Sequence, residues 1–245
     1  MEDKQTAGKK RVMGGGYSAL DLFLLIFGLA TITTLLIVFQ SNWLTVVCSV
    51  LGVLGVFMQA KGKIIAQFFC VSYAIFYIFL AFSNQYFGEV IVYAGFMVPL
   101  FVYGIIHWLK NRDKKDNTVI VRRNLSIKEW IGLGIMFPLV FVGVYFLLKF
   151  FNTAELIVSA ISSVLVMLAV YLSVRRVKLN QIVFLLNDFA MGALWMLVVI
   201  KGDLSLIPFV TICLIYAIYD IYGLIQWAKL EKRQRVAAEI DSCKK

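Results

Sequence analysis

The chain is a succession of long apolar runs separated by short polar segments. Each run approaches the ~20 residues that a helix needs to cross a bilayer. None alternates apolar and polar residues, as the strands of a membrane β-barrel would. The pattern therefore predicts an all-α membrane protein with eight transmembrane helices, numbered 1 to 8, at approximately Leu20–Phe39, Trp43–Ala60, Ile64–Phe82, Val90–Leu109, Trp130–Phe150, Leu156–Val174, Ile182–Ile200 and Leu204–Ala228.

Lysine and arginine are concentrated in every second connection, whereas the other connections are nearly free of positive charge. Membrane proteins keep such residues in their cytoplasmic loops. We therefore expect a multi-pass protein of the cell membrane with both termini, residues 1–19 and 229–245, in the cytoplasm. Because the formal net charge of +10 is explained by this topology, we expect no nucleic-acid partner. The basic residues on which this assignment depends are Lys4, Lys9, Lys10, Arg11, Lys61, Lys63, Lys110, Arg112, Lys114, Lys115, Arg122, Arg123, Lys128, Arg175, Arg176, Lys178, Lys229, Lys232, Arg233 and Arg235.

One short segment occurs twice. Residues 103–110 (YGIIHWLK) return as residues 222–229 (YGLIQWAK), and both copies end an apolar run, in helix 4 and in helix 8. An offset of four helices keeps the two copies in the same orientation, which predicts a parallel repeat. The basic turns at 61–63 and 175–178 match in order, and so do Gly88-Glu89 and Gly202-Asp203.

These matches predict how the chain is organised. Residues 43–109 (helices 2–4) and 154–228 (helices 6–8) form two parallel three-helix repeats. Residues 110–150 supply a basic cytoplasmic loop and helix 5, which joins the repeats, and residues 20–39 form one extra N-terminal helix. Duplicated membrane units are typical of transporters, with the substrate site where the two copies face each other.

The residue types that enzymes and metal sites need are scarce. The only histidine, His107, stands beside Trp108 near the end of helix 4, where it is typical of the membrane interface. The four cysteines have no CxxC spacing and are typical of buried apolar positions. No nucleophile–base set is visible. We therefore expect no enzyme, no metal ion and no cofactor.

Polar and aromatic side chains inside the helices are the candidates for a substrate site. Placing an Asp in hydrocarbon costs ~2.5–3.5 kcal/mol, so such residues favour a functional role. Aromatic faces beside amides and carboxylates suit a flat, heteroaromatic, hydroxylated ligand. The alternative is an aromatic belt for the tyrosines and a packing role for the aspartates. The candidate substrate-binding residues are Gln67, Tyr73, Tyr77, Asn187, Asp188, Trp195, Tyr216 and Asp220.

In their order and spacing, several motifs resemble those of the PnuC-type transporters of vitamins and nucleosides, whose best-known member carries nicotinamide riboside. The resemblance covers about residues 43–229 and rests on Lys61-Gly62-Lys63, Gly88-Glu89, Pro99, Tyr103-Gly104, Trp108, Asn187 and the segment 221–227. It implies a SWEET-like fold with three-plus-one-plus-three helices. It also implies facilitated diffusion of a non-phosphorylated substrate, which a cytoplasmic kinase then traps, and a homotrimer.

The chain departs from the nicotinamide riboside members at several positions. Asn180 and Val183 stand where those members carry Trp-x-x-Trp, Tyr73 where they carry Gln, and Asp220 where they carry Asn. Asn187 matches. The resemblance implies nicotinamide riboside or a close relative as the small-molecule substrate, and the departures leave a deoxyribonucleoside, thiamine or riboflavin as alternatives. Transport coupled to protons through Asp188 or Asp220 is a further alternative, and an intramembrane enzyme or scaffold is another.

The mechanism expected of such a protein is alternating access, in which the two units rock about a central site. Pro99, Pro208, Gly104 and Gly223 are candidate flexing points. The two glycines at matched positions can equally permit close helix packing.

Overall fold

The computed structural model describes residues 17–114, 116–153, 155–202 and 207–243. Within these ranges, eight helices are long and apolar enough to cross a membrane, which confirms the predicted architecture. Outside them lie Lys4, Lys9, Lys10, Arg11, Lys115, Asp203 and the predicted start of helix 8 at Leu204. The helices are α1 (Ala19–Val38), α2 (Trp43–Ala60), α3 (Ile65–Ser83), α4 (Phe87–Lys110), α5 (Ile127–Phe150), α6 (Leu156–Val174), α7 (Leu179–Ile200) and α8 (Ile207–Cys243).

The main difference from the predicted boundaries is at the end of α8, which continues past Ala228 to Cys243. Hydropathy ends where lysine and glutamate begin, but these residues are good helix formers. The extension also packs on the basic connections, because Glu231 accepts from Lys178 at 2.9 Å and the Gln234 amide donates to Val119 O at 2.9 Å. The part of the predicted C-terminal tail that the structure describes is therefore helical.

Two short turns, one after α2 and one after α6, have the same geometry. Gly62 has φ +62° and Arg176 has φ +64°, the left-handed conformation in which helices commonly end. The N–H of Gly62 donates to Gln59 O at 2.9 Å, and the N–H of Arg176 donates to Ser173 O at 2.8 Å. Glycine adopts this conformation freely, whereas Arg176 does so against the preference of its side chain.

The loop between α4 and α5 crosses both turns. It contains the hairpin of β1 (Arg112–Asp113) and β2 (Thr118–Val119). The Val119 N–H donates to Gly62 O at 2.8 Å, and the Arg122 N–H donates to Arg176 O at 2.9 Å. The basic loop is thus fastened to the same side of the bundle as both turns.

Contacts between the two halves also occur in pairs. The indole N–H of Trp108 in α4 donates to Ser173 O at the end of α6, and that of Trp227 in α8 donates to Gln59 O at the end of α2, both at 2.9 Å. Both indoles are fully buried. Each predicted repeat, α2 to α4 or α6 to α8, therefore donates an equivalent indole hydrogen bond to the other, which supports the interpretation as a parallel repeat.

Helix α1 and the linker helix α5 each begin with a capping box and are each joined to a neighbouring turn by an ion pair. A capping box begins α1 (Ser18 and Asp21) and another begins α5 (Ser126 and Glu129). The acid of each box pairs with the basic residue of a turn, Asp21 with Lys61 after α2 and Glu129 with Arg175 after α6. Helix α1 packs on α2 and α8, and α5 packs on α6 and α4. The predicted extra helix therefore has a position equivalent to that of the linker.

Candidate substrate site

A cavity of about 150 Å³ lies between the helices of the first repeat, α2 to α4, and those of the second repeat, α6 to α8. Its walls come from α2, α3, α4, α6, α7 and α8, so both predicted repeats contribute. Five of the predicted site residues line it. They are Tyr73, Asn187, Asp188, Tyr216 and Asp220.

Three tyrosines form the aromatic part of the wall. Tyr73 of α3 and Tyr93 of α4 meet edge to face with their ring centroids 6.3 Å apart, and Tyr216 approaches from α8. The hydroxyl of Tyr216 occupies the space that a side chain at Gly52 would fill. The cavity can therefore hold a flat ring against tyrosine faces, which favour stacked and edge-to-face contacts.

A change of helix type positions Tyr93. Residues Tyr93–Met97 form a π-helical segment inside α4, directly before Val98 and Pro99. Proline has no N–H, so it leaves a carbonyl one turn earlier without its usual partner, and a local π segment is one way to absorb the irregularity. Both ends of this segment, Tyr93 and Met97, line the cavity.

The polar groups lie on α7, α8 and α2. Asn187 accepts a hydrogen bond from the Ser162 hydroxyl at its Oδ1, at 2.7 Å. That bond orients the amide and leaves its N–H₂ donors for a ligand. Gln59 of α2 and Cys70 of α3 also line the cavity, with the thiol 3.9 Å from the Gln59 Oε1.

The two aspartates face each other across the contact between α7 and α8. Asp188 is 7% exposed and Asp220 is 2% exposed, and their carboxyl groups lie within hydrogen-bonding reach. In the described part of the chain, the Oδ2 of Asp188 has no hydrogen-bond partner. A buried oxygen of this kind is costly unless a proton or a ligand satisfies it.

Three predicted site residues are not in the cavity wall. Tyr77 packs behind it, with its ring centroid 4.2 Å from that of Tyr93. Trp195 packs against Phe209 at 5.1 Å. Gln67 lies under Gly104, where its amide donates to the Ser173 hydroxyl at 3.5 Å. All three were predicted because they are polar or aromatic residues inside a helix. The rotation of their helices directs these side chains away from the cavity.

The positions at which the resembling transporters carry tryptophan are also outside the wall. The Asn180 amide donates to Val177 O at 2.6 Å, and Val183 packs among Leu125 and Leu133. Neither Asn180 nor Val183 lines the cavity of this chain. The departures at Tyr73 and Asp220 do line it.

Several lining residues were missed by sequence reasoning. Gln59 precedes the basic turn by two residues, Cys70 lies three residues before Tyr73, and Phe184 lies three residues before Asn187. Residues three or four apart share a helix face. A search for residues on the same helix face as each predicted site residue would have identified Cys70 and Phe184.

A membrane bundle with an aromatic and polar cavity between its two repeats is the arrangement expected of a membrane transporter of small molecules. The comparisons agree, since the profile of the nicotinamide mononucleotide transporter family matches residues 42–229. The chain belongs to this family of PnuC-type transporters and is not an enzyme.

Two relatives and one solved structure illustrate the similarity. The nicotinamide riboside transporter PnuC of Neisseria mucosa is 22% identical over 91% of this chain and 86% of its own length. The transporter of the same name from Haemophilus influenzae is 25% identical over 79% of this chain and 82% of its own. A crystal structure of the vitamin B3 transporter PnuC superposes with a TM-score of 0.74 at 21% identity, covering 89% and 94% of the two chains. This likeness shows that the fold is shared.

Proposed function

We propose that the protein carries nicotinamide riboside, or a closely related nucleoside-like vitamin, across the cell membrane by facilitated diffusion. The observation that carries the proposal is the cavity, where the Asn187 amide stands beside the rings of Tyr73, Tyr93 and Tyr216. Two relatives in the same family are named nicotinamide riboside transporters. Phosphorylation in the cytoplasm would then trap the substrate.

Each lining group has a role in this proposal. The tyrosines stack against the heteroaromatic ring. The Asn187 N–H₂, oriented by Ser162, donates to a carbonyl or hydroxyl oxygen of the ligand, and Gln59 offers a further amide. Because pockets for ligands of this size measure roughly 300–1,000 Å³, a cavity of about 150 Å³ must widen as the substrate enters.

The widening is supplied by relative movement of the two halves. Trp108 and Trp227 connect the halves through single hydrogen bonds to helix ends, at the side where the basic turns lie. Rocking of one half against the other opens the cavity first to one side and then to the other. Gly104 and Gly223 serve close packing, because a Cβ at either would lie 2.5 Å from the Oε1 of Gln67 or Gln181.

Uptake into proteoliposomes tests the proposal. Wild-type protein should equilibrate labelled nicotinamide riboside across the membrane faster than liposomes without protein, and the panel should include a deoxyribonucleoside, thiamine and riboflavin. Asn187→Ala should reduce uptake at least about tenfold, because a donor to the substrate is lost. Asn84→Ala is the matched control, since that amide is exposed and donates to Leu80 O of its own helix, away from the cavity. Failure to move any of these solutes would refute the proposal.

The proposal includes the orientation of the protein, with both termini in the cytoplasm. Cys243 reports on it, because it is exposed near the end of α8, whereas Cys48 is buried and Cys70 and Cys213 are partly buried. A membrane-impermeant maleimide should label Cys243 in permeabilised cells and spare it in intact cells. Cys243→Ala supplies the background, and labelling in intact cells would reverse the assignment. The homotrimer implied by the family resemblance is likewise a prediction, which native mass spectrometry of the detergent-solubilised protein would check.

A second candidate function is transport coupled to protons. The buried pair of Asp188 and Asp220 favours it, because carboxyl groups inside membrane proteins commonly relay protons. Uptake that persists unchanged after the pH gradient is collapsed, both in wild type and in Asp220→Asn, would leave facilitated diffusion as the function.

A further inference from the structure

We propose that Asp188 and Asp220 form a site for the positive charge of an aromatic substrate, so that the protein selects cationic rings over neutral rings of the same shape. The inference rests on the proposed function and specifies the substrate class of the same cavity. Nicotinamide riboside, with its pyridinium ring, and thiamine, with its thiazolium ring, both belong to this class.

The ionisable groups of the cavity wall favour a cation. Both aspartates are more than nine-tenths buried and within reach of each other. No lysine, arginine or histidine is among the described residues that line the cavity. Lys61, at the end of α2, is held by Asp21 instead. Two carboxyl groups in contact in a medium of low dielectric repel when both are ionised, and a positive charge between them relieves that repulsion.

One oxygen of the pair is unsatisfied when both carboxyl groups are ionised. Asp188 Oδ2 then receives no hydrogen bond from the described residues, and Asp188 lines the cavity. A buried acceptor in this condition is stabilised by any positively charged group that enters beside it.

The shape and chemistry of the rest of the wall decide the kind of cation. The faces of Tyr73, Tyr93 and Tyr216 attract a delocalised cation through their ring quadrupoles. A hydrated inorganic ion would need more oxygen ligands than the carboxyl pair provides. In the residues that the structure describes, no group of three or more His, Cys, Asp or Glu side chains could hold a metal ion. The cavity therefore fits a flat organic cation.

The test uses two ligands that differ in charge and hardly in shape. Nicotinamide riboside has a cationic ring, and its reduced 1,4-dihydropyridine form has a neutral one. The wild-type protein in detergent should bind the cationic form at least about tenfold more tightly, as measured by competition against a labelled ligand. Equal affinity for the two forms in the wild type would overturn the inference without any variant.

The variants locate the selectivity. Asp220→Asn keeps the size of the side chain. We expect it to lower the affinity for the cationic form alone, so that the affinities for the two forms differ by no more than about threefold. Asp188→Asn should act in the same direction, and Asp220→Glu should keep the preference. Glu155→Gln is the matched control, because that carboxylate is about half exposed and pairs with Lys201. A preference that survives both Asp→Asn changes would refute the role of the pair.

Other outcomes separate this inference from the proposed function. Uptake of nicotinamide riboside with no discrimination by charge would refute the inference and leave the proposed function standing. Uptake of a neutral deoxyribonucleoside alone would refute both. Binding of the cationic ring that requires sodium in the buffer would assign the carboxyl pair to an inorganic ion and overturn the inference.

Discussion

Removing the amino group of Lys61 should destabilise the protein through Asp21. The Asp21 carboxylate pairs with Lys61, accepts from the Tyr222 hydroxyl at Oδ1, and accepts from the Ser18 N–H at 2.7 Å. The side chains of Lys61 and Asp21 are only 10% and 3% exposed. Lys61→Met keeps most of the apolar stem and leaves a buried carboxylate without its cation.

The expected cost follows from that burial. Breaking a buried ion pair on one side costs about 3–5 kcal/mol, because the remaining charge is uncompensated. Because Tyr222 and Ser18 still donate to the Asp21 carboxylate, we expect Lys61→Met to lower the free energy of unfolding by about 3 kcal/mol, near the lower end of this range. The double variant with Asp21→Asn removes the stranded charge and should recover a large part of the loss.

Thermal unfolding in detergent measures this loss of stability. The double-mutant cycle compares wild type with Lys61→Met, Asp21→Asn and the double variant. Lys201→Met is the control, because Lys201 and its partner Glu155 are 67% and 52% exposed and such pairs contribute under about 1 kcal/mol. A Lys61→Met protein as stable as Lys201→Met would refute the reasoning, and so would a double variant less stable than Lys61→Met.

Two further predictions concern the contacts between the halves and the cavity wall. Trp108→Phe and Trp227→Phe each remove the donor to a buried carbonyl at a helix end and should each cost about 1–3 kcal/mol in thermal unfolding. Stability unchanged in both would contradict the assigned bonds. In Gly52→Ala the new methyl group meets the hydroxyl of Tyr216, so this ring of the cavity wall must shift. Binding of nicotinamide riboside should weaken at least about tenfold while the melting temperature stays near that of wild type, and unchanged binding would contradict the placement of this ring.

The positions of the helices could be predicted from the sequence because crossing a bilayer imposes a length and a composition. Seven of the predicted helices, within the described residues, lie on apolar runs that the structure confirms with shifts of a few residues at their ends. The long extension of α8 was not predicted, because hydropathy measures membrane crossing and not helix formation. Its charged residues continue the helix outside the apolar run, where Lys178 and Val119 contact it.

The candidate site was partly predictable for an energetic reason. A carboxylate or an amide within an apolar run is costly, so Asn187, Asp188 and Asp220 stood out, and all three line the cavity. Gln67 met the same criterion and lies elsewhere, and so do Tyr77 and Trp195, which were predicted for their aromatic rings. Hydropathy places a residue at a depth in the membrane but does not determine the direction in which it points.

By itself, the sequence determined the eight apolar helices, the clustering of basic residues in alternate connections and the motif shared by helices 4 and 8. These are properties of single segments, and the bilayer imposes them on each segment separately. Only the tertiary structure decided which faces meet. It brought Asp188 of α7 against Asp220 of α8, placed Tyr93 in the cavity through a π segment, and gave α1 a position equivalent to that of α5. Helix rotation depends on how neighbouring side chains pack, so it is a property of the assembled bundle and of no segment alone.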